Sequence, residues 1–141
     1  MGYEIHITRQ RNWFENNGAF EISISEWLTF LAEDSEMRLD NFAEATTSDG
    51  EIIRLESEGL AVWTKYSGDG INGNHAWFSY INGNIIVKNP DDEIIYKMLK
   101  ISFILKANVQ GDNGEFYQLL NENVFIRHVD KKEGEQWWKF W

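Results

Sequence analysis

The dipeptide Asn82-Gly83 constrains the fold of this chain more than any other feature of its sequence. It separates two short runs rich in apolar residues, 75–81 and 84–87, and Asn-Gly tolerates the positive φ angles of a type I′ turn. The two runs are therefore predicted to form an antiparallel β-hairpin. A two-residue connection excludes the long crossover that parallel strands need, so the sheet around this hairpin is predicted to be antiparallel.

Alternating side chains and turn signals predict further strands on both sides of this hairpin. In residues 3–8 apolar and polar side chains alternate, which indicates a strand with one buried face. Residues 42–47 and 51–57 flank the turn signal Ser48-Asp49-Gly50 and are predicted to pair with each other. The other predicted strands are 60–66, 107–110, 115–119 and 124–128.

Two helices are predicted from their start signals. Ser23 with Glu26 three residues later forms a capping box, in which each side chain satisfies an amide at the helix end. For the second helix, Asn89 is the predicted cap and Pro90 the first helical position, followed by acidic residues that suit the positive end of the helix dipole. Its body, residues 94–106, is apolar around much of its circumference, which predicts close packing against a sheet.

These elements predict an α+β fold, with a mainly antiparallel twisted sheet and two helices packed on one of its faces. A doubly wound parallel fold is disfavoured, because tight turns rather than helical crossovers join the middle strands. The 141 residues contain no internal repeat, low-complexity segment or linker. A single domain over 1–141 with an aromatic C-terminal tail, 136–141, is therefore expected.

The composition excludes several kinds of site. Cysteine is absent, so disulfides and thiolate metal sites are excluded, and a zinc site built on the three dispersed histidines would have to recruit carboxylates. No cofactor is expected. The first residues lack a signal peptide and no apolar run reaches the ~20 residues of a membrane span, so a cytoplasmic location is expected. The formal charge of −10 repels phosphate backbones, which makes a basic protein or a cation a better partner than nucleic acid.

Aromatic residues are unusually frequent, with seven tryptophans, nine phenylalanines and five tyrosines. Such rings build both cores and the anchors of protein interfaces. Four of them lie within the last five residues, 137–141. This tail is predicted to fold back on its own domain, to dock on a partner or to touch a membrane interface.

The glycine-rich loop 67–74 is a candidate site with three interpretations. It is a plain hairpin loop, a loop that contacts a partner, or a ligand or metal site that uses Asp69, Asn72 and Asn74. Asp69 opposes a phosphate, the Walker lysine pattern is missing, and the spacing is not that of an EF-hand.

Two histidines and a group of acids are further candidates. His6 and Glu4 share a strand face, which suits either acid–base chemistry or a structural histidine. His75 and Trp77 share the face of another strand, which suits either core packing or a stacking platform for a ligand. Carboxylates on the first predicted hairpin form either a solvated face or a glycosidase-like pair, and they are Glu44, Glu51, Glu56 and Glu58.

Five segments spread over residues 2–119 carry a resemblance to a known family. They are GYEIHITR at 2–9, ESEGL at 56–60, NGN at 72–74 with Trp77-Phe78, VKNP at 87–90 and VQGD at 109–112. The chain resembles a family of small, mostly uncharacterised bacterial proteins, whose members look like the acidic proteins encoded beside secreted bacterial toxins. The resemblance implies an immunity protein, brings no catalytic residues with it and does not extend beyond residue 120.

The leading hypothesis is a non-enzymatic protein-binding domain, in its most specific form an immunity protein that neutralises a bacterial toxin through an acidic, aromatic-rich surface. One alternative is a small-molecule enzyme with His6 and Glu4 as an acid–base pair. Another is a self-associating structural domain, a homodimer in which the tail inserts into a second copy. The predicted partner contacts are Asp49, Glu51, Glu56, Glu58, Trp63, Asp69, Asn72, Asn74 and His75.

Overall fold

The structure is a computed structural model that describes residues 2–121 and 124–128, so the predicted tail 136–141 lies outside the described residues. The described part contains ten strands and two α-helices, and neither helix is long and apolar enough to cross a membrane. The strands are β1 (Glu4–Thr8), β2 (Met37–Leu39), β3 (Phe42–Thr46), β4 (Ile52–Glu56), β5 (Ala61–Trp63), β6 (Trp77–Ile81), β7 (Asn84–Lys88), β8 (Asn108–Gly111), β9 (Phe116–Asn121) and β10 (Val124–His128). The helices are α1 (Ile24–Glu33) and α2 (Asp92–Leu105), and short 3₁₀ turns lie at Gly18–Phe20 and Ile71–Gly73.

Eight of these strands form one antiparallel sheet with the order β10-β9-β8-β1-β7-β6-β5-β2. In the described chain, β3 and β4 pair only with each other and form a separate two-stranded sheet. This arrangement confirms the predicted α+β fold, with a mainly antiparallel sheet and two helices. The predicted turn at Asn82-Gly83 joins β6 to β7, and the φ angles of its two residues, 52° and 80°, are positive as expected.

The two helices pack against one face of the large sheet and enclose the hydrophobic core. Ile7 and Ile85 lie opposite each other in the β1–β7 ladder and are fully buried, as is Ile101 of α2. Trp27 of α1 is also fully buried, and its indole N–H donates a 2.8 Å hydrogen bond to the carbonyl of Gly59. Burial of side chains of this size contributes about 1.5–3 kcal/mol each, which holds the helices on the sheet.

The two helix starts differ in how closely they follow the sequence prediction. The capping box of α1 is present, because the Ser23 hydroxyl accepts from the Glu26 amide and the Glu26 carboxylate accepts from the Ser23 amide, both at 3.0 Å. The predicted cap of α2, Asn89, is wrong, because Asp91 provides the carboxylate that accepts from an amide of the first turn. Asn89 has a φ of 52° and exchanges two hydrogen bonds with Tyr3, so it extends the pairing of β7 with β1 instead.

β1 is buried on both of its faces, whereas the alternation of its residues predicts a single buried face. Ile7 faces the helices, as expected for an apolar residue in this pattern. His6 and Thr8 point to the opposite face and are also fully buried. The second face must therefore be covered by another part of the chain.

The segment 9–17, which follows β1, provides this cover. Trp13 in this segment stacks on the ring of His6. The backbone of Trp13 is held by two buried side-chain amides, because Gln110 accepts from its N–H at 2.7 Å and Asn84 donates to its carbonyl at 2.9 Å. These bonds satisfy amide groups that would be costly to bury without a partner, so the segment has a fixed position over the sheet.

Candidate functional site

We name the hairpin of β3 and β4, residues 42–56, the arm, because in the described chain it shares no ladder with the eight-stranded sheet. Its register places Ala43 opposite Leu55 and Ala45 opposite Ile53. Residues two apart on a strand, and residues opposite each other on paired strands, point to the same side, so these four form one apolar face. Leu55 is 66% exposed and Ile53 is 55% exposed, so this apolar face lies in water.

The opposite side of the arm is held by charged and aromatic contacts. Arg54 lies between Glu44 and Glu56, with nitrogen–oxygen distances of 3.4 and 3.1 Å. The guanidinium of Arg54 also lies over the ring of Phe42, 3.8 Å from its centroid. Near the tip, Ile52 on this side is 68% exposed. Apart from Ile52, the side chains on this side of the arm are compatible with contact with water, in contrast to those of the apolar face.

Negative charge surrounds the arm. The segment 42–58 contains five acids and a single base, Arg54. An exposed apolar face with an acidic border is typical of a binding surface rather than of a solvated loop. Four of the acids that the sequence predicts as partner contacts are exposed on the arm or at its base, and they are Asp49, Glu51, Glu56 and Glu58.

Asn41 fixes the junction between the arm and the large sheet. Its φ is 65°, in the left-handed region that Asn adopts more readily than most residues. Its side-chain oxygen accepts from the Gly59 amide and its carbonyl accepts from the Ser57 amide, both at 2.9 Å. Its own amide donates to the Leu60 carbonyl, also at 2.9 Å. One residue thus ties both strands of the junction and sets the direction in which the arm leaves the sheet.

The glycine-rich loop 67–74 is fastened to the start of α2. Ser67 donates to the Glu93 carboxylate through its amide at 3.0 Å and through its hydroxyl at 2.6 Å. Within the loop, the carboxylate of Asp69 lies 2.9 Å from Nδ1 of His75. The loop therefore has defined contacts at both ends. Two predicted contacts at its centre are exposed, and they are Asn72 and Asn74.

Trp63 differs from the other predicted contacts because it is part of the core. It is 9% exposed, and its indole N–H donates to the Glu36 carboxylate at 3.0 Å. The ammonium group of Lys97 lies 5.8 Å from the centroid of its ring. His75 is half-buried and meets Trp77 edge-on, with ring centroids 5.6 Å apart. The structure therefore separates Trp63 from the exposed acids with which the sequence groups it.

Glu4, His6 and Asp112 form a cluster beside β1, which we name the His6 cluster. His6 Nε2 lies 2.9 Å from Asp112 Oδ1, and Asp112 Oδ2 accepts from the backbone amide of Glu4 at 2.8 Å. The sequence pairs His6 with Glu4, but Asp112 was not among the predicted site residues. The register of β1 with β8, in which Ile5 is opposite Gly111, brings Asp112 to this place. Pairing between residues so distant in the chain leaves no local signal in the sequence.

A cavity of about 470 Å³ adjoins the His6 cluster. Its walls include Glu4, His6 and Trp13, together with Asn84 of β7. His6 is fully buried, whereas the side chain of Asp112 is 29% exposed and Glu4 is half-buried. The carboxylates of Glu4 and Asp112 are therefore partly accessible to solvent, whereas the imidazole of His6 is not.

Two tyrosines near Ile5 donate to one buried carboxylate. The hydroxyl groups of Tyr3 and Tyr117 both bind Glu115, that of Tyr117 at 3.0 Å. Burial, and next the hydrogen bond to Glu115, raises the pKa of Tyr3 to about 12. Burial also raises the pKa of Tyr117. Both phenols therefore remain protonated at neutral pH and act as fixed donors, which opposes a role as catalytic bases.

No protein-family model, curated protein or solved structure matches this chain. The resemblance to proteins encoded beside toxins therefore stays a prediction from short sequence segments. Two arrangements in the described residues have binding or chemical potential, namely the arm with its apolar face and the His6 cluster.

Proposed function

We propose that this chain is a non-enzymatic protein-binding domain that docks on its partner through the apolar face of the arm. One observation carries the proposal, namely that Ile53 and Leu55 lie side by side in water on a strand whose five residues are all exposed. An isolated two-stranded hairpin is at best marginally stable in water. A hairpin that also exposes an apolar side gains stability when a partner covers that side.

The energy available from this contact is useful but limited. Complete burial of a fully exposed aliphatic side chain is worth about 1.5–3 kcal/mol, so Ile53 and Leu55, which are 55% and 66% exposed, together supply about 2–4 kcal/mol. Association itself costs about 4 kcal/mol or more. The two side chains therefore support binding only as the centre of a larger interface. The exposed acids around them, Asp49, Glu51 and Glu56, extend the contact surface.

The charge of the arm favours a basic partner. The five acids of residues 42–58 oppose one base, and the whole chain carries a formal charge of −10. Such a surface attracts positively charged proteins, raises their association rate and loses this effect as salt is added. The partner surface that fits the arm is an apolar patch bordered by lysine and arginine.

In its more specific form, the proposal is that the partner is a secreted bacterial toxin and that this chain is its immunity protein. Its support is the resemblance of segments such as GYEIHITR at 2–9 to proteins encoded beside toxins. An arm with an apolar face and an acidic border, inserted into the cleft of a toxin, would exclude the toxin's substrate from that cleft. Neutralisation of this kind requires no chemistry from the immunity protein.

The experiment is co-expression of the toxin domain encoded beside this gene with the wild-type chain or with the double variant Ile53→Gln/Leu55→Gln. The wild-type chain is expected to restore growth and, when purified, to form an equimolar complex on size-exclusion chromatography. The double variant is expected to lose protection and to bind at least about tenfold more weakly, because glutamine removes apolar contact and leaves the charge unchanged. The matched control is Ile104→Gln on α2, which is 61% exposed and lies off the arm.

Four outcomes would count against the proposal. Protection by the double variant equal to that of the wild type would contradict docking through the arm. A toxin that kills cells in the presence of the wild-type chain, or a neighbouring gene that encodes no toxin, would contradict the immunity function. A wild-type dimer that dissociates in the double variant during sedimentation would assign the arm to self-association.

The alternative of a small-molecule enzyme with His6 and Glu4 as an acid–base pair has less support. His6 is fully buried beneath Trp13, and its Nε2 is already bonded to Asp112. A catalytic base must come within hydrogen-bond reach of the proton that it removes. Catalysis at this place would therefore require Asp112 to release Nε2 of His6.

A further inference from the structure

We propose that the His6 cluster is a binding site for a divalent transition-metal ion, with Zn²⁺ as the ion that suits it best. One ligand atom from each of Glu4, His6 and Asp112 lies within 4.8 Å of the other two. Zn²⁺ is bound in proteins by imidazole nitrogen and carboxylate oxygen, which are the donors present here. The site lies on the large sheet and does not involve the arm, so it is independent of the proposed docking function.

The fold holds two of the three donor atoms in place. The antiparallel register of β1 and β8 puts Asp112 beside β1, and one oxygen of Asp112 is held by the Glu4 backbone amide at 2.8 Å. The other oxygen is thereby directed at His6 Nε2. The imidazole itself cannot turn freely, because it is fully buried and stacked on the ring of Trp13. Ligands fixed by such outer contacts bind metal with less loss of conformational freedom.

The distances are close to those of a coordination site. Two ligands of a tetrahedral site that each lie about 2.1 Å from the metal ion are separated by roughly 3.4 Å. His6 Nε2 and Asp112 Oδ1 are 2.9 Å apart. Binding therefore requires these two atoms to separate by about 0.5 Å and the Glu4 oxygen, which lies within 4.8 Å of them, to move inward by up to about 1.4 Å. Glu4 is only half-buried and has room for this rotation.

The electrostatics of the cluster also favour a cation. Two carboxylates, those of Glu4 and Asp112, lie near each other and would both attract a cation placed between them. In the described chain no hydrogen bond or ion pair reaches the Glu4 carboxylate. When Nε2 binds a cation, the ring proton is carried by Nδ1, which has no hydrogen-bond partner among the described residues. A cation between the three side chains would neutralise the carboxylates and engage the imidazole.

The donor set decides which ion is expected. Mg²⁺ and Ca²⁺ prefer sites made of oxygen alone, whereas imidazole suits the ions of the first transition series. Three protein ligands leave one tetrahedral position for water, as in open zinc sites. The adjoining cavity of about 470 Å³, which Glu4 and His6 line, has room for that water.

The chain contains a matched internal control. His75 Nδ1 lies 2.9 Å from Asp69 Oδ1, the same separation as in the His6–Asp112 pair. The His75 side chain is 31% exposed and therefore easier to reach than that of His6. The His75–Asp69 pair lacks a third ligand. Among the described residues, the His6 cluster is the one group of three side chains that could hold a metal ion. An ion that binds histidine–carboxylate pairs without further selection would bind at His75 first.

The test is titration of the chelator-treated full-length protein with Zn²⁺ at fixed pH, followed by calorimetry and by ¹⁵N NMR of the histidine rings. One ion is expected to bind per chain and to shift Nε2 of His6 while the signals of His75 stay in place. Glu4→Gln is expected to weaken Zn²⁺ binding at least about tenfold, and Asp112→Asn likewise, with folding checked by circular dichroism. Asp69→Asn is expected to bind like the wild type, and Mg²⁺ is expected to give no shift.

Two results would overturn the proposal. The first is the absence of saturable Zn²⁺ binding at about 1 mM, which corresponds to a binding free energy weaker than about 4 kcal/mol. The second is binding that is unchanged in Glu4→Gln or reduced in Asp69→Asn. Glu4 is half-buried and its side chain makes no hydrogen bond in the described chain, so Glu4→Gln is expected to fold. This variant therefore decides the test even if Asp112→Asn fails to fold.

Discussion

The imidazole of His6 and the indole of Trp13 are stacked almost parallel, with ring centroids 4.1 Å apart and planes inclined by 7°. Trp13 belongs to the segment 9–17, which covers the second face of β1. The stack therefore joins a strand in the middle of the sheet to a segment that has no regular strand or helix of its own.

Trp13→Ala is expected to lower the free energy of unfolding by about 2 kcal/mol, because it removes a large half-buried ring and its stacking, the latter worth about 0.5–1.5 kcal/mol. Urea denaturation measures the loss. Trp13→Phe keeps a ring over His6 and is expected to lose about half as much. Equal stability of Trp13→Ala and the wild type would show that the backbone bonds to Gln110 and Asn84 hold the segment without the ring.

Gly111→Ala is expected to lower the free energy of unfolding by about 3 kcal/mol. A Cβ at this position would lie 2.6 Å from the Tyr3 hydroxyl and closer still to the Glu115 carboxylate. Glu115 is buried, so its carboxylate cannot move away without loss of its bonds to the tyrosines. The control is Gly18→Ala, whose Cβ would have no atom within 4 Å and whose effect is expected to stay within about 0.5 kcal/mol. Thermal denaturation that ranks the two variants equally would refute this account.

Lys97→Met is expected to destabilise the protein by about 2 kcal/mol. The Lys97 ammonium group is nearly buried and bridges Asp34 at 2.8 Å and Glu36 at 3.0 Å. Removal of one partner from a buried ion pair costs about 3–5 kcal/mol, and the partial exposure of both acids reduces that cost here. Lys100→Met on the exposed side of α2 is the control, with little expected effect on the urea midpoint.

The same variant has a second expected result, in the titration of Glu36. The hydrogen bond from Lys97 is the main reason why the pKa of Glu36 lies below its ordinary value of 4.5. In Lys97→Met this pKa is expected to rise, as measured by the carboxyl ¹³C shift. A Glu36 titration identical in the two proteins would mean that the bridge is absent in solution.

Arg9→Met is expected to raise the pKa of Glu26, which the guanidinium of Arg9 and next the amide of Ser23 lower from 4.5 to about 2. A carboxyl group with a lowered pKa in the folded state contributes stability above pH 4.5, and this contribution is lost as the pH falls toward 2. The acid-induced loss of stability in that window is therefore expected to be smaller in the variant. This change in stability is expected to be small, because the Glu26 side chain is 45% exposed and solvent screens its interaction with Arg9.

Carboxyl ¹³C titration of Glu26 measures this pKa directly. Arg38→Met removes the same charge from a residue that pairs with Asp40 and is the control, with the Glu26 titration expected to stay unchanged. An unshifted pKa of Glu26 in Arg9→Met would mean that the cap at Ser23 alone lowers it.

The elements that the sequence predicts correctly are those whose ends depend on nearby residues. The capping box of Ser23 and Glu26 and the turn at Asn82-Gly83 each involve bonds within a few residues, so a local pattern is sufficient. β2, Met37–Leu39, was not predicted, because three residues are too few to show alternation. β10, Val124–His128, was predicted, and it pairs antiparallel with β9.

Contacts between distant residues explain the errors. Asn89 was predicted as a helix cap, but its two bonds to Tyr3 hold it at the end of a strand. The burial of His6 depends on Trp13, which lies in a segment with no alternation to indicate a cover. Asp112 reaches His6 only because β8 pairs with β1, and a single sequence does not specify that pairing.

The candidate docking surface was predicted in part. The exposed acids of the arm were identified, but its apolar face was not, although the signal was present. Once the turn at 48–50 sets Ala43 opposite Leu55, alternation also places Ala45 and Ile53 on the same side. Trp63 was grouped with this surface because tryptophan is common at interfaces, yet its neighbours in β5 are buried on both sides.

The junction at Asn41 has a consequence for how such a protein can diversify. The arm contributes no strand to the large sheet in the described chain, and none of its side chains belongs to the buried hydrophobic cluster. Substitutions, and even changes of length, between residues 42 and 56 therefore leave the rest of the domain intact. Under the proposed docking function, one partner can therefore be exchanged for another by substitutions within the fifteen positions 42–56, while the scaffold that presents them is inherited unchanged.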